Sequence, residues 1–180
     1  MKDKLLRRAQ REYSPKRRLL ALSVEVAVFL GVLPVALVTL SSSLDLWLHL
    51  PRLGCGPINT VIGCLSILAG FILGLWTVYV QFTVGRGTPA PVMATQKLIV
   101  RGPYEYCRNP MTLGTIVLYL GIAILIGSLS AVGLVALGAA SLLVYVKLIE
   151  EKELEARFGQ EYLEYKQRTP FLFPHFWKGS

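Results

Sequence analysis

The chain has 180 residues, of which 53% are hydrophobic and only 17% are charged, and its mean hydropathy is +0.52. A soluble domain of this length rarely carries so little charge. The apolar residues also form long runs, which indicates membrane spans rather than a soluble core. The formal net charge is +8, and the basic residues flank the apolar runs. We therefore expect anionic lipid headgroups as their partner, and we expect no nucleic acid.

The first 82 residues divide into a basic segment and two apolar runs. Residues 1–18 hold eight Lys and Arg residues with apolar residues at roughly helical spacing, which predicts an interfacial amphipathic helix. The region 19–82 contains two predicted spans, at about 19–40 and 58–82, and each is long enough to cross a ~30 Å hydrocarbon core. A polar loop is expected at 41–56 between them.

Small residues mark one face of the second predicted span. Ser66, Gly70 and Gly74 follow one another at steps of four, so they lie on one side of a helix. Small side chains allow two helix backbones to approach closely in a membrane. We therefore predict that a neighbouring helix packs on this face.

The remaining region, 83–180, begins with a loop that is rich in Gly, Pro and basic residues, up to position 108. The apolar stretch 111–149 is too long for one span and suits two, and Gly127-Ser128 marks the expected turn of a hairpin. The segment 150–168 is charged but keeps a helical stripe of apolar and aromatic residues. The predicted fold is an all-α polytopic membrane helix bundle with about four transmembrane helices, a C-terminal hairpin and cytoplasmic interfacial helices.

Four spans would place both termini on the same side of the membrane. The N-terminal segment, the loop 83–108 and the C-terminal segment then share one face, and they hold nearly all the basic residues. The other two loops hold one basic residue between them, Arg52. By the positive-inside rule, the basic face is expected to be cytoplasmic, so the chain is expected to be a multi-pass membrane protein with cytoplasmic termini.

The densest group of polar residues is the segment 101–110. Asn109 and Pro110 are the residue types favoured at the N-cap and at the first position of a helix, and we expect them to begin the helix there. A helix N-terminus also offers free N–H groups to an anionic ligand. Arg101 and Arg108 would pair with phosphates or a carboxylate. The alternative is that they are ordinary flanking charges of a membrane span.

A pair of acidic residues, Glu150 and Glu151, ends the second half of the hairpin on this basic face. A carboxylate there would bind an amine, ribose hydroxyls or a sulfonium cation; the alternative is a solvated helix end. The aromatic stripe that follows includes Tyr162, which either packs or lines a pocket wall. The three cysteines have no metal-type spacing, and the two histidines fall on opposite sides of the predicted membrane, so no metal site is predicted.

Several short motifs follow one another in the second half of the chain in a specific order. They are Gly87-Thr88-Pro89-Ala90-Pro91, Leu98, Gly102-Pro103-Tyr104, Arg108-Asn109-Pro110-Met111, Gly114, the apolar hairpin, Glu150-Glu151, Leu154, Phe158-Gly159, Tyr162, Tyr165 and Pro170. This order resembles the isoprenylcysteine carboxyl methyltransferase and phosphatidylethanolamine N-methyltransferase superfamily over about residues 85–174. The resemblance implies a helical membrane enzyme that binds S-adenosylmethionine at the cytoplasmic face.

The resemblance also implies roles for individual residues. The implied cofactor-binding residues are Gly102, Tyr104, Asn109, Pro110, Glu150, Glu151 and Tyr162, and the implied catalytic residues are Arg108 and Glu151. The region 83–180 would then be the cofactor-binding region, and the acceptor would be a lipidic or isoprenylated molecule. Many relatives have Arg-His-Pro where this chain has Arg-Asn-Pro, and a tyrosine where it has Thr112. These differences remove an imidazole and a phenol from the site.

The sequence leaves the chemistry of the acceptor open. If the acceptor is an amine, Glu150 or Glu151 would take its proton, whereas a carboxylate acceptor needs no base. Two other interpretations are an NADPH-dependent membrane reductase of the sterol reductase type and a membrane scaffold without catalysis. The acidic pair suits a cationic cofactor better than a polyanionic dinucleotide. No oligomeric state is predicted.

Overall fold

The computed structural model describes residues 14–54, 56–85, 95 and 97–173, and within these it is helical with no β-strand. In chain order the helices are α1 (Pro15–Ala27), α2 (Leu33–Trp47), α3 (Pro57–Thr83), α4 (Pro110–Ile126), α5 (Leu129–Tyr145), α6 (Glu151–Phe158) and α7 (Gln160–Arg168). Two π-helical turns, Val28–Val32 and Val146–Glu150, join α1 to α2 and α5 to α6, and a 3-10 turn covers Gly102–Glu105. The predicted all-α membrane helix bundle is confirmed.

Three continuous helices among the described residues are long and apolar enough to cross a membrane: Lys16–Trp47, Pro57–Thr83 and Leu129–Phe158. The fourth apolar helix, α4, has only 17 residues. At 1.5 Å per residue it is about 25 Å long, which is at the lower limit for a span. The four expected passes are therefore three long helices and one shorter helix.

The turn of the hairpin lies where the sequence predicts it. Gly127 ends α4 with a φ of +65°, a left-handed conformation that glycine adopts without steric cost. Ser128 begins α5, and its Oγ accepts a hydrogen bond from the backbone N–H of Ala131 at 3.0 Å. This N-cap fixes the direction of the returning helix.

The prediction of a polar loop at 41–56 is wrong for the first half of that range, because the helix α2 continues to Trp47. The hydroxyls of Ser42 and Ser43 donate to the carbonyl oxygens of Val38 and Thr39, four residues earlier, at 2.7 and 3.0 Å. Serines that bond in this way satisfy their own polar groups inside a helix, so a run of them does not require a loop.

Pro34 explains the π-helical turn in the first long helix. The N–H of Leu33 donates to the carbonyl of Val28, five residues earlier, and proline at position 34 has no N–H to donate. The carbonyl of Phe29 is thereby left without a helical partner. The phenol of Tyr119 on α4 donates to it at 2.6 Å. The break in the helix is thus a point of contact with α4.

Glycines on α3 and α4 bring these two antiparallel helices into backbone contact. A Cβ added at Gly70 would lie 2.5 Å from the Leu118 nitrogen, and one at Gly63 would lie 2.8 Å from the Leu125 Cβ. A Cβ at Gly121 would similarly lie 2.7 Å from the Ile67 nitrogen. The close approach predicted at Gly70 is confirmed, whereas a Cβ at Gly74 would meet nothing within 4 Å.

Contacts between loops define the two ends of the bundle. At one end, the N–H of Leu53 donates to the carbonyl of Gly127, and the carboxylate of Asp45 accepts from the N–H of Ser130. At the other end, Arg18 donates to the carbonyl of Phe82. Arg18 and Phe82 border two of the segments that the sequence places on the basic face, so these two segments begin at the same end of the bundle.

The charged segment after the hairpin is two helices rather than one. Gly159 has a φ of +54° and separates α6 from α7, which packs back toward the loop before α4. Tyr162 and Tyr165 of the predicted stripe are buried, at 1% and 9% exposure. The predicted interfacial helix up to residue 13, much of the Gly- and Pro-rich loop, and the tail after residue 173 lie outside the described residues.

Candidate functional site

A partly enclosed cavity of about 370 Å³ lies between the helices at the basic end of the bundle. Its walls come from α1, α3, α4, the end of α5 and the π-helical turn after it, and most of its lining is apolar. Its polar and ionisable lining residues include Glu25, Gln81, Tyr104, Arg108, Asn109 and Glu150. The cavity is lined by residues of the two predicted N-terminal spans and of the predicted cofactor-binding region.

Arg108 lines this cavity, although its side chain is only 8% exposed. Its guanidinium forms an ion pair with Glu151, whose side chain is 3% exposed. Lys147 and Lys166 also approach this carboxylate, with Nζ to Oε2 distances of 3.3 and 3.2 Å. A buried charge is costly unless it is paired, and this cluster supplies the pairing.

The adjacent acids therefore have different surroundings. Glu150 belongs to the cavity lining, whereas Glu151 does not and faces Arg108 instead. The π-helical turn contributes to this arrangement, because Val146 and Glu150 both line the cavity while the N–H of Glu151 donates back to the carbonyl of Val146. Wide turns of this kind are common at functional sites.

Tyr104 and Gln81 meet at the polar end of the cavity. The Gln81 amide donates to the Tyr104 hydroxyl at 2.5 Å. Burial raises the pKa of the Tyr104 phenol, so this side chain stays neutral and acts as a hydrogen-bonding group rather than a base. Oε1 of Gln81 and Nε of Arg108 are buried, and neither has a hydrogen-bond partner among the described residues. The first is an acceptor and the second is a donor.

Asn109 holds the N-cap position of α4, but its side chain does not cap the helix. The Asn109 amide instead donates to the carbonyl of Phe171 at 2.8 Å. The backbone N–H of Arg108 donates to the carbonyl of Pro170 at 2.9 Å. The C-terminal segment thus fixes the loop before α4, and the first turn of α4 is left without a side-chain cap beside the cavity.

Three of the predicted site residues lie outside the cavity lining: Gly102, Glu151 and Tyr162. Gly102 has a φ of +63°, and a Cβ there would lie 3.2 Å from the Val80 side chain, so glycine permits the loop to pack on α3. Tyr162 is 1% exposed and packs against Tyr165, with ring centroids 6.2 Å apart. Burial raises the pKa of the Tyr162 phenol, and the nearby Glu151 carboxylate raises it further.

The other predicted residues, Tyr104, Arg108, Asn109, Pro110 and Glu150, come together around the cavity. Gln81 was not predicted; its signal in the sequence is an amide side chain in the last turn of an otherwise apolar run. Glu25, an acid inside a span, also lines the cavity. Its role is open from the sequence alone, because an acid near the end of a span can reach water.

Comparison with known proteins gives two matches. A family model described as phospholipid methyltransferase matches residues 58–161, which include α3, α4, α5 and α6. A cobalt-zinc-cadmium resistance protein, CzcN, from Cupriavidus metallidurans is 34% identical over 95 residues, which are 51% of this chain and 44% of that protein. The matched part therefore spans less than half the length of this curated relative.

Proposed function

The chain belongs to the phospholipid methyltransferase family, and we propose that it is a membrane methyltransferase that uses S-adenosylmethionine and acts on a lipidic or isoprenylated acceptor. The observation that carries the proposal is the cavity: polar groups collect at the basic end of the bundle, while apolar walls continue between membrane-spanning helices. Its volume of about 370 Å³ lies within the range of small-molecule sites. A polar cofactor and an apolar acceptor would meet where these two parts join.

The residues present fit S-adenosylmethionine. Its cationic groups suit the Glu150 carboxylate, and its own carboxylate suits Arg108 and the uncapped first turn of α4, where Met111 and Thr112 line the cavity. The unpaired Oε1 of Gln81 would accept a hydrogen bond from a hydroxyl or an amine. Tyr104, Asn109 and Pro110 would form the wall beside it. A polyanionic dinucleotide would instead meet the carboxylates of Glu25 and Glu150.

The cofactor supplies an electrophilic methyl group on a sulfonium. The cavity would hold the acceptor in line with that group, and positioning of this kind contributes roughly 7–11 kcal/mol in good cases. If the acceptor is an amine, Glu150 or Glu25 would receive its proton. If it is a carboxylate, Arg108 would orient it. The apolar walls would exclude water in either case.

Three predicted site residues would support the site through the residues that they contact. Glu151 would hold the Arg108 guanidinium against the cavity wall, so it would be a positioning residue rather than one that contacts a ligand. Tyr162 would support the same charge cluster from α7. Gly102 would allow the loop before α4 to pack on α3. The catalytic residue of the proposal is Arg108, with Glu150 as the carboxylate in contact with ligand.

We also propose that the polar end of the cavity faces the cytoplasm. The support is the excess of Lys and Arg in the segments at that end, by the positive-inside rule. The polar cofactor would then enter from the cytoplasm, and the acceptor would enter from the membrane between helices. The chain from residue 83 onward would form the cofactor-binding region, completed by Gln81 and Glu25 from the first two long helices.

The direct test is ligand binding to the purified protein in detergent. S-adenosylhomocysteine, the demethylated product, should raise the melting temperature, because saturation at about 100 times Kd adds roughly 2.7 kcal/mol to the free energy of unfolding. NADPH at the same concentration should leave it unchanged. A shift with NADPH alone would support the reductase interpretation, and no shift with either ligand would support a scaffold.

A further inference from the structure

Part of the cavity is an apolar arm between the first long helix and α3. We use this name for the part of the cavity lined by Leu22, Val26, Phe29 and Leu30 on one side and by Phe71, Gly74 and Leu75 on the other. Its lining residues belong to two helices that are long and apolar enough to cross a membrane. The arm is therefore continuous with the polar end and lies within the membrane-spanning part of the bundle.

Gly74 lines this arm, and the position that its own Cβ would take is open. A Cβ at Gly70 or Gly114 would lie within 3.1 Å of backbone on the facing helix, so those positions require glycine. A Cβ at Gly74 would meet nothing within 4 Å, and its backbone lies in the helix α3. A side chain at Gly74 would therefore begin in open space, and we expect a large one to occupy the arm. A hydrocarbon group that contacts these apolar walls gains dispersion energy.

The wall of the arm on the α1 side is loosely packed. Within the described chain, the contacts of α1 are concentrated on the π-helical turn that follows it in sequence. The helix α3, in contrast, packs extensively on α4. Arg18 at the start of α1 reaches the Phe82 carbonyl at the end of α3, so the two helices touch at the basic end. Below that contact, Leu19, Leu20 and Val24 are exposed, as expected for surface in contact with lipid. A hydrocarbon chain could pass from the membrane between these helices.

We infer that the apolar arm receives one hydrocarbon chain of the acceptor lipid, and that Gly74 determines which chains fit by leaving the arm open. The inference rests on the proposed function for the identity of the bound molecule as the acceptor. The reacting group would lie beside the cofactor at the polar end, and the chain would extend from it past Gly74. Filling the arm should then exclude long chains while it leaves the cofactor site intact.

The test uses a phosphatidylethanolamine that carries a photoreactive diazirine on one acyl chain, with the purified full-length protein in lipid nanodiscs. Crosslinked positions are mapped by mass spectrometry. Leu118 lines the cavity and is only 8% exposed, so its labelling reports a chain inside the protein. Leu65 is 61% exposed and lies outside the cavity lining, so its labelling reports surrounding lipid. The wild-type protein should be labelled at both residues.

Gly74→Phe should reduce labelling at Leu118 about tenfold or more, because pocket shape discriminates hydrocarbon groups on that scale, and should leave Leu65 labelled. Gly138→Phe is the matched control: a Cβ at this exposed helical glycine also meets nothing within 4 Å, and it is not in the cavity lining. Gly74→Ala should give a smaller reduction, and it serves if the phenylalanine variant does not fold. Equal labelling of Leu118 in wild type and in a folded Gly74 variant would overturn the inference.

A second readout separates this inference from the proposed function. The labelling experiment does not depend on methyl transfer, and binding of S-adenosylhomocysteine does not depend on the arm. If wild type fails to bind S-adenosylhomocysteine but shows the Gly74-dependent labelling, the proposed function fails and a lipid site remains. The other outcome is that binding and methyl transfer both occur while Gly74→Phe keeps the wild-type preference between long-chain and short-chain acceptors. In that case the proposed function stands and the inference about the arm is wrong.

Discussion

At the scale of single residues, the neighbouring acids Glu150 and Glu151 have different surroundings. The sequence places Glu150 and Glu151 together at the end of the hairpin, and it does not say which of the two binds a ligand. The structure directs Glu150 to the cavity and pairs Glu151 with Arg108. That separation depends on a π-helical turn and on Lys166 from α7, and both are features of tertiary packing that a sequence pattern does not contain.

Substitution of Glu150 should act on the cofactor. Glu150→Gln keeps the size of the side chain and removes its charge. A hydrogen bond to a charged group is worth about 1.5–3 kcal/mol, so we expect binding of S-adenosylmethionine to weaken roughly tenfold to a hundredfold. The melting temperature without ligand should change little, because Glu150 is exposed. Isothermal titration gives the affinity. Glu164→Gln, at an exposed position on α7, is the control and should bind like wild type.

Substitution of Glu151 should act on stability and on Arg108. Glu151→Gln leaves a buried guanidinium without its counter-charge, and breaking a buried pair costs about 3–5 kcal/mol. We expect a large drop in the melting temperature of the detergent-solubilised protein without ligand. Arg108→Gln combined with Glu151→Gln removes both charges, and part of the lost stability should return. Methyl transfer should stay low in the double variant, because Arg108 itself lines the cavity; wild-type turnover there would contradict its proposed role.

At the scale of helices, the contact between α3 and α4 depends on glycines spaced by seven residues. Gly63 and Gly70 on α3 face Gly121 and Gly114 on α4 in antiparallel order. The sequence correctly predicts close packing at Gly70, but it predicts Gly74 rather than Gly63 as a second contact position. Steps of four and steps of seven both keep residues on one side of a helix, so the sequence does not distinguish them. Which of the two spacings is used depends on where the facing helix α4 makes contact.

Alanine substitutions should separate the two kinds of glycine. At Gly70 the new Cβ would lie 2.5 Å from the Leu118 nitrogen and 2.6 Å from the Gly114 oxygen, both backbone atoms that cannot rotate away. Overpacking of this kind costs about 1–3 kcal/mol or more, so Gly70→Ala should lower the melting temperature. Gly74→Ala and Gly138→Ala should not. Equal melting temperatures for all three variants would show that α3 and α4 are less closely packed than described.

At the scale of the whole molecule, the sequence is sufficient for the fold class and for the turn at Gly127-Ser128, because runs of apolar residues and turn residues are local signals. It is not sufficient for the extent of α2, where serines bond within the helix, or for the break at Gly159. The cavity is harder still to predict. It joins Glu25 and Gln81 to Arg108 and Glu150, residues far apart in the chain that only tertiary packing brings together.

The topology is testable by cysteine labelling in a variant from which the native cysteines have been removed. We expect a cysteine at Arg52, in the turn between α2 and α3, to react with a membrane-impermeant reagent from the extracytoplasmic side. A cysteine at Arg101, exposed before the 3-10 turn, should react only from the cytoplasmic side. The reverse pattern would place the polar end of the cavity on the other side of the membrane, away from the expected supply of cofactor.

The central claim is that this membrane protein transfers a methyl group from S-adenosylmethionine to a lipidic acceptor at the cavity. The most direct measurement is the transfer of tritiated methyl from S-adenosylmethionine into the organic-extractable fraction of membranes that contain the protein. We predict incorporation with wild type, a loss of about tenfold or more with Arg108→Gln, and wild-type incorporation with Glu164→Gln, since removing a charged contact costs about 1.5–3 kcal/mol. Absence of label from that fraction with a folded wild-type protein that binds S-adenosylhomocysteine would contradict a lipidic acceptor. Equal incorporation by all three proteins would contradict the site.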